Sequence, residues 1–367
     1  MSRPGRANNP AAGGSHAEWM RRALDLARDT NPHPNPRVGA VVVSADGVLV
    51  GEAAHRRPGE AHAEAAALLD AAERARGGTL FVTLEPCDHQ GRTGPCTRAI
   101  LEAGIARVVV GIGDPDGRVS GTGIRRLRKA GLSVIENVLA TEAETLDPGY
   151  FHHRRTGRPL VTLKLAATLD GQTAAADGSS QWITSSEARA EAHALRAAND
   201  AVMVGAGTLR TDDPRLDVRI DGYDGPQPRP IVVAGLRPLP ADAAVYQRNP
   251  IMYSPKELDR VPAGVDLEVL GHQSGVDLEG MMKDLGQRGI VTLLVEGGPS
   301  LARSLLDSEL VDHMVLFLGG IVAGGVGRPM FEGIFETLSK ARPLVIISAT
   351  VVGGDVRIDA IPTSAMP

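Results

Sequence analysis

The sequence predicts two α/β domains in tandem. Its 367 residues exceed what one hydrophobic core usually serves. Short β-rich runs alternate with segments of helical periodicity, and a stretch rich in Arg and His, ending at Gly157 and Pro159, interrupts them. With 43% hydrophobic and 23% charged residues the composition is that of a globular protein, and no apolar run approaches the roughly 20 residues that span a bilayer. A net charge of -5 leaves no global excess of cations for phosphates. The expected partner is therefore a small molecule, with no nucleic acid and no membrane.

Residues 1–15 are rich in Pro, Gly, Ala and Asn and lack the apolar core of a secretory signal, so a disordered tail and a cytoplasmic chain are expected. The first domain is assigned to 16–150. It opens with a helix at Ala17 to Arg28, where Trp19, Met20, Ala23, Leu24 and Ala27 share one face. A hairpin follows, Gly39 to Ser44 and Val48 to Gly51 about the turn Asp46-Gly47. A helix from about Glu60 to Arg76 leads to a buried strand at Thr79 to Leu84. A helix from Pro95-Cys96 to about Gly104 then precedes a strand at Arg107 to Ile112. A linker is assigned to 151–158 and a second domain to 159–367. There, strands are expected at Pro159–Ala166, Ala201–Gly205, Pro230–Ala234, Ile290–Glu296, Met314–Leu318 and Leu344–Val352. Helices are expected at Ser185–Ala198, Leu278–Gln287 and Pro299–Leu306.

Only two cysteines occur, Cys87 and Cys96, and in a reducing compartment so close a pair reads as a metal site or a reactive pair. His62-Ala63-Glu64 opens one helix, Cys87 ends a strand and Cys96 opens the next helix. One imidazole and two thiolates suit Zn2+ and leave a fourth tetrahedral position for water, although His89 remains available as the fourth ligand of a purely structural site. Glu64 is placed to take a proton from that water and return it to a leaving amine.

This pattern resembles the zinc deaminases, in which His-x-Glu is followed by Pro-Cys and a second cysteine. The long insertion between Cys87 and Cys96 resembles the riboflavin-pathway branch. The second half shares that branch's motifs: Lys164 to Gly171, Ser180-Gln181-Trp182-Ile183-Thr184, Thr208 to Pro214, and Val295-Glu296-Gly297-Gly298-Pro299. From about Ala17 onward the chain resembles the bifunctional diaminohydroxyphosphoribosylaminopyrimidine deaminase and 5-amino-6-(5-phosphoribosylamino)uracil reductase family.

The resemblance implies a cytidine-deaminase-like α/β/α domain followed by a dihydrofolate-reductase-like α/β domain, with zinc and NADPH as cofactors and a homo-oligomeric assembly. It implies His62, Cys87 and Cys96 as metal ligands, Glu64 as the catalytic acid and base, and His33, Asn35, His55 and Asp114 around the deaminase substrate. In the reductase it assigns Ala166, Trp182, Thr208, Asp212 and the turn Gly298, Pro299, Ser300, Leu301, Ala302, Arg303 and Ser304 to the nicotinamide cofactor. Ser180, Arg196, Leu216, Arg219 and Glu296 fall to the reductase substrate, the arginines as bidentate partners of its phosphate. The chain departs from the family after Val233-Ala234-Gly235 and at Gly320-Ile321. A deaminase with a non-catalytic second half and a nucleic-acid-editing deaminase are the competing functions.

Overall fold

The structure is a computed structural model that describes residues 14–90, 94–117, 119–272, 275–334 and 336–365. Residues 1–13 of the expected tail and 91–93 of the loop between the cysteines lie outside the described residues. Ser15, assigned to the tail, instead caps the first helix. Its hydroxyl accepts from the Glu18 N–H while the Glu18 carboxylate accepts from its own N–H, a reciprocal capping box.

The chain forms two compact units, Met1–Thr156 and Gly157–Pro367. The first contains α1 (His16–Arg28), β1 (Gly39–Val43), β2 (Leu49–Ala54), α2 (Ala63–Ala71), β3 (Thr79–Leu84), α3 (Cys96–Glu102), β4 (Arg107–Ile112), α4 (Thr122–Lys129), β5 (Ser133–Ile135), α5 (Ala140–Thr145) and α6 (Pro148–Thr156). Its five strands run in the order β2-β1-β3-β4-β5. The pairs of β1 with β2 and β3 are antiparallel, whereas β3, β4 and β5 are parallel.

Alternation along the strands makes both faces apolar. Val41, Val43, Phe81 and Val109 meet Trp19, Met20 and Leu24 of α1 on one side. Ala40, Val42, Leu80, Val82 and Val108 meet Ala67 and Leu68 of α2 and Ile100 of α3 on the other. A Cβ on Gly39 would lie 1.9 Å from the Ala23 carbonyl oxygen, so α1 rests on β1 through backbone. Gly39→Ala is expected to destabilise this unit by about 1–3 kcal/mol, read as a lower urea midpoint.

Two local expectations change. The helix expected over Glu60 to Arg76 is α-helical only from Ala63 to Ala71 and closes as a 3-10 turn, Ala72–Ala75, after Ala72 turns to φ 50°. The stretch assigned as a linker is mostly α6, because Tyr150 and Phe151 bury their rings in the first unit's core.

The second unit contains β6 (Leu160–Thr168), β7 (Gln172–Ala174), α7 (Ser186–Ala197), β8 (Ala201–Gly205), α8 (Ala206–Asp212), β9 (Arg229–Val233), β10 (Ile251–Ser254), β11 (Asp266–Val269), β12 (Gly271–His272), β13 (Gly275–Val276), α9 (Leu278–Gln287), β14 (Thr292–Val295), α10 (Pro299–Asp307), β15 (His313–Gly319), β16 (Arg328–Pro329), β17 (Leu344–Val352) and β18 (Asp355–Pro362). Nine strands share one sheet, in the order β11-β10-β9-β8-β14-β6-β15-β18-β17. All neighbours from β11 to β15 are parallel, and the β17–β18 hairpin closes the sheet antiparallel. Leu293 and Val295 pack beneath α9 and α10, while Leu294 points to the opposite face with Leu209 of α8.

The chain leaves β6, runs outward from β8 to β11, returns as β14 between β8 and β6, and crosses to β15. Such a reversal opens a crevice beyond the strands' carboxyl ends. Strands β10, β11 and β18 were not expected from the sequence. The first two have four residues each, and β18 mixes Arg357 and Asp359 into its apolar run.

Candidate active sites

In the first unit the ends of three elements meet. His62 is the N-cap of α2, Cys87 lies beyond β3, and Cys96 is the first residue of α3. The His62 Nδ1 lies 3.6 Å from the Cys87 Sγ and 3.3 Å from the Cys96 Sγ, and the three donor atoms all fall within 4.8 Å of one another. Tetrahedral Zn–N and Zn–S bonds give donor separations of about 3.6 Å, so this set fits a zinc ion. His89 is exposed and outside the cluster, so among the described residues it does not close the site as a fourth ligand.

Glu64 lies in the first turn of α2 and is 3% exposed. Burial pushes its carboxyl above the ordinary carboxylate range, and the neighbouring Cys87 acts in the same direction. A hydrogen bond from the Cys96 thiol is the main cause that brings Cys87 down to about 4.

Beside the cluster, buried His55 ties the loop that carries Asn35 to the segment at Ala61. Its Nδ1 is 3.2 Å from the Ala61 carbonyl, which can only accept, so Nε2 accepts the Asn35 amide at 2.9 Å. The His55 ring stands edge-on to that of His62, with centroids 5.2 Å apart. His33 is exposed on the loop that carries Asn35. Asp114 is buried, and burial pushes its carboxyl up to about 6 while the Tyr150 hydroxyl donates to it at 3.0 Å. Reasoning from the sequence missed Tyr150 and Asp147, whose carboxylate accepts from the Arg37 N–H at 3.1 Å. The adjacent aromatics Tyr150-Phe151 were the available signal that this stretch packs.

In the second unit, Ala166 of β6, Thr208 and Asp212 of α8, and the Gly297-Gly298 turn lie around the carboxyl ends of parallel strands. Gly298, the N-cap of α10, has no side chain with which to cap that helix, so its first N–H groups suit an anionic group. Within the assigned turn, Leu301 and Ala302 bury their side chains in the core, which leaves only their backbone for a ligand. The Ser300 hydroxyl is bonded to Glu332, Ser304 to the Ser300 carbonyl, and Arg303 to Asp307. Ser180 and Trp182 line an open cavity of about 350 Å3 with Thr168 and Gln172. Trp182 is 68% exposed, with the Arg189 guanidinium 4.2 Å from its ring centroid.

The structure alters the expected arginine forks. Arg196 is bonded bidentately to Glu296 at 2.6 and 2.9 Å and also donates to the Asp217 carbonyl. It therefore holds a carboxylate where a phosphate was expected. Arg219 pairs with Asp217 at 2.6 Å. Leu216 is 1% exposed and its carbonyl accepts from Arg248, so its side chain belongs to the core.

A three-donor metal cluster with a buried carboxyl in one α/β unit, joined to a second unit whose crevice suits an anionic cofactor, defines a two-domain enzyme. Residues 14–112 match the cytidine and deoxycytidylate deaminase zinc-binding region, and residues 159–352 match the RibD C-terminal domain. The riboflavin biosynthesis protein RibD of Escherichia coli is 41% identical over 92% of this chain and 97% of its own, and that of Aquifex aeolicus 42% over 89% and 94%. The Acinetobacter baumannii RibD structure superposes with a TM-score of 0.87 at 34% identity, over 95% of this chain and 99% of that one. A Thermotoga maritima diaminohydroxyphosphoribosylaminopyrimidine deaminase/5-amino-6-(5-phosphoribosylamino)uracil reductase superposes at 0.84, also with 34% identity, over 95% and 98%. The chain belongs to the riboflavin biosynthesis protein RibD family. It is a bifunctional enzyme, with a zinc-binding deaminase domain and a reductase domain.

Proposed function

We propose that the first domain hydrolyses the exocyclic amine from 2,5-diamino-6-(5-phosphoribosylamino)pyrimidin-4-one, releasing ammonia. The second domain then reduces the ribosyl side chain of 5-amino-6-(5-phosphoribosylamino)uracil to ribityl with NADPH. The observation that carries the first step is the convergence of His62, Cys87 and Cys96 beside buried Glu64.

When bound there, zinc supplies the Lewis acidity that lets water give up a proton near neutrality. Glu64 receives that proton at its carboxylate and passes it to the departing amine. Asn35, oriented by His55, and Asp114, held by Tyr150, line the pyrimidine site with His33. In the second domain NADPH supplies hydride. The N–H groups at the start of α10, from Gly298 to Ser304, would hold its anionic groups, and Ala166, Trp182, Thr208 and Asp212 would contact the rest of the cofactor. Ser180, Arg219, Glu296 and the backbone at Leu216 bind the phosphoribosyl substrate, and Arg196 orients Glu296.

An assay supplying the diaminopyrimidine with and without NADPH tests both steps. Ammonia should appear in either case and NADPH oxidation only after deamination. Ammonia without oxidation would leave a deaminase with a non-catalytic second half, and the net charge of -5 disfavours a nucleic-acid substrate. Zinc ligation needs reduced Cys87 and Cys96, which supports a cytoplasmic enzyme. Among the described residues no helix is long and apolar enough to cross a membrane.

The reading extends to a homo-oligomer formed through β17. This nine-residue edge strand, Leu344–Val352, carries no charged residue and exposes Ile346 by 63%, Ile347 by 59% and Val351 by 79%. Edges of that kind ordinarily carry charges or are covered, and antiparallel pairing with a second copy covers both strands. Ile346→Lys with Ile347→Lys should yield a smaller species by light scattering, and an unchanged mass would reject this interface.

A further inference from the structure

The segment that presents Cys87 is clamped at its root. Glu85 is 4% exposed and stands two residues before that ligand. Its own N–H donates to the Ile112 carbonyl at 3.0 Å, which continues the β3–β4 ladder. Its carboxylate accepts three backbone N–H groups at the start of α4. Gly121 donates to Oε2 at 2.9 Å, while Gly123 and Ile124 donate to Oε1 at 3.0 and 3.2 Å.

Helix α4 has no cap of its own, because its N-cap is Gly121 at φ 69° and offers no side chain. Glu85 thus satisfies that helix's orphan donors from another element and places its negative charge at the positive end of the helix. Backbone contact reinforces the clamp. A Cβ on Gly123 would stand 1.8 Å from the Pro86 carbonyl oxygen, so only glycine lets α4 lie against this peptide. On the far side the Cys87 carbonyl accepts the Thr97 N–H at 3.2 Å, and the Thr97 hydroxyl donates to Asp88 at 2.5 Å. The run Glu85-Pro86-Cys87-Asp88 is therefore held between α4 and α3, and α3 itself carries Cys96.

We propose that Glu85 is a positioning residue for deamination: by capping α4 across the fold it fixes the backbone from which Cys87 reaches the other two donors, and so sets the affinity for zinc. The inference rests on the zinc-deaminase reading. Its physical basis is that a thiolate on a loose backbone must be ordered when metal binds, whereas here the ordering is completed during folding. Glu85→Gln keeps the shape but turns one acceptor oxygen into a donor that faces an N–H. Gly123→Ala drives the two backbones apart from the other side.

Both variants and the wild type are tested as the full chain. Zinc affinity is read by competition with a chromophoric chelator, and ligand geometry by the visible absorption of the cobalt(II)-substituted protein. Deaminase kcat and KM are measured alongside the rise in melting temperature when zinc is added to stripped protein. The last quantity remains readable in a destabilised variant. Glu85→Gln should bind zinc about 10-fold more weakly or worse, shift the cobalt bands and gain less stability from zinc, with kcat lowered and KM little changed. Gly123→Ala should move every readout in the same direction. Wild-type affinity and cobalt spectra in both variants would overturn the proposal, even if both melt earlier. A wild-type chain that binds no zinc would instead overturn the deaminase reading beneath it.

Discussion

Glu64→Gln should retain zinc and lose ammonia release by about 10²- to 10⁴-fold, the range expected when a positioned acid and base is removed. The substitution keeps the volume of a side chain that is 3% exposed and leaves His62, Cys87 and Cys96 in place. Metal content by atomic absorption and ammonia by a coupled assay separate the two effects. Equal loss of zinc and activity would make Glu64 a support of the metal site, and undiminished release would remove it from the reaction. Reduction of the deaminated intermediate should be unaffected, because the reductase residues lie in the second unit.

Arg196→Ala should be the most damaging single change in the reductase half. The Arg196 and Glu296 side chains are only 13% and 14% exposed, and the substitution leaves a buried carboxylate without its partner. Losses of about 3–5 kcal/mol follow from breaking such a pair. Burial alone would raise the Glu296 carboxyl, but the Arg196 hydrogen bonds and charge outweigh it and hold the group below its ordinary value. In the wild type this contributes stability above the unfolded carboxyl pKa that is lost as pH falls through the lower folded one.

Without Arg196 the sign reverses. Burial then raises the folded pKa, so the variant is least stable near neutrality and approaches the wild type as acid protonates Glu296. Urea unfolding at neutral pH and near pH 4 measures this, and Arg196→Ala with Glu296→Gln should recover part of the loss. A pH-independent deficit would mean that packing of the arginine, rather than its charge, supports the site. NADPH oxidation should fall with either single change.

Much of the deaminase site was legible because each ligand sits where a local signal ends. His62 begins a helix, Cys87 follows a strand and Cys96 begins another helix, so boundaries that periodicity can locate are also the positions of the chemistry. The second half was legible mainly by resemblance. Its longer strands and the α9 and α10 helices are periodic, but four-residue strands such as β10 and β11 are too short to show a pattern. The stretch after Tyr150 read as a linker because its Arg and His residues outweighed the aromatic pair Tyr150-Phe151, whose burial depends on a core assembled elsewhere.

By itself the sequence determined the α/β alternation, three candidate metal donors with Glu64 close to one of them in the chain, and the glycine turn before α10. Only the tertiary structure decided which distant groups occupy one another. The Arg196 fork is held by a carboxylate 100 positions away, Glu85 caps a helix that begins 37 residues later, and Tyr150 meets Asp114. Secondary structure is encoded by neighbours a few residues apart, whereas these pairs exist only once strand order and burial bring remote segments together and remove the water that would otherwise satisfy them.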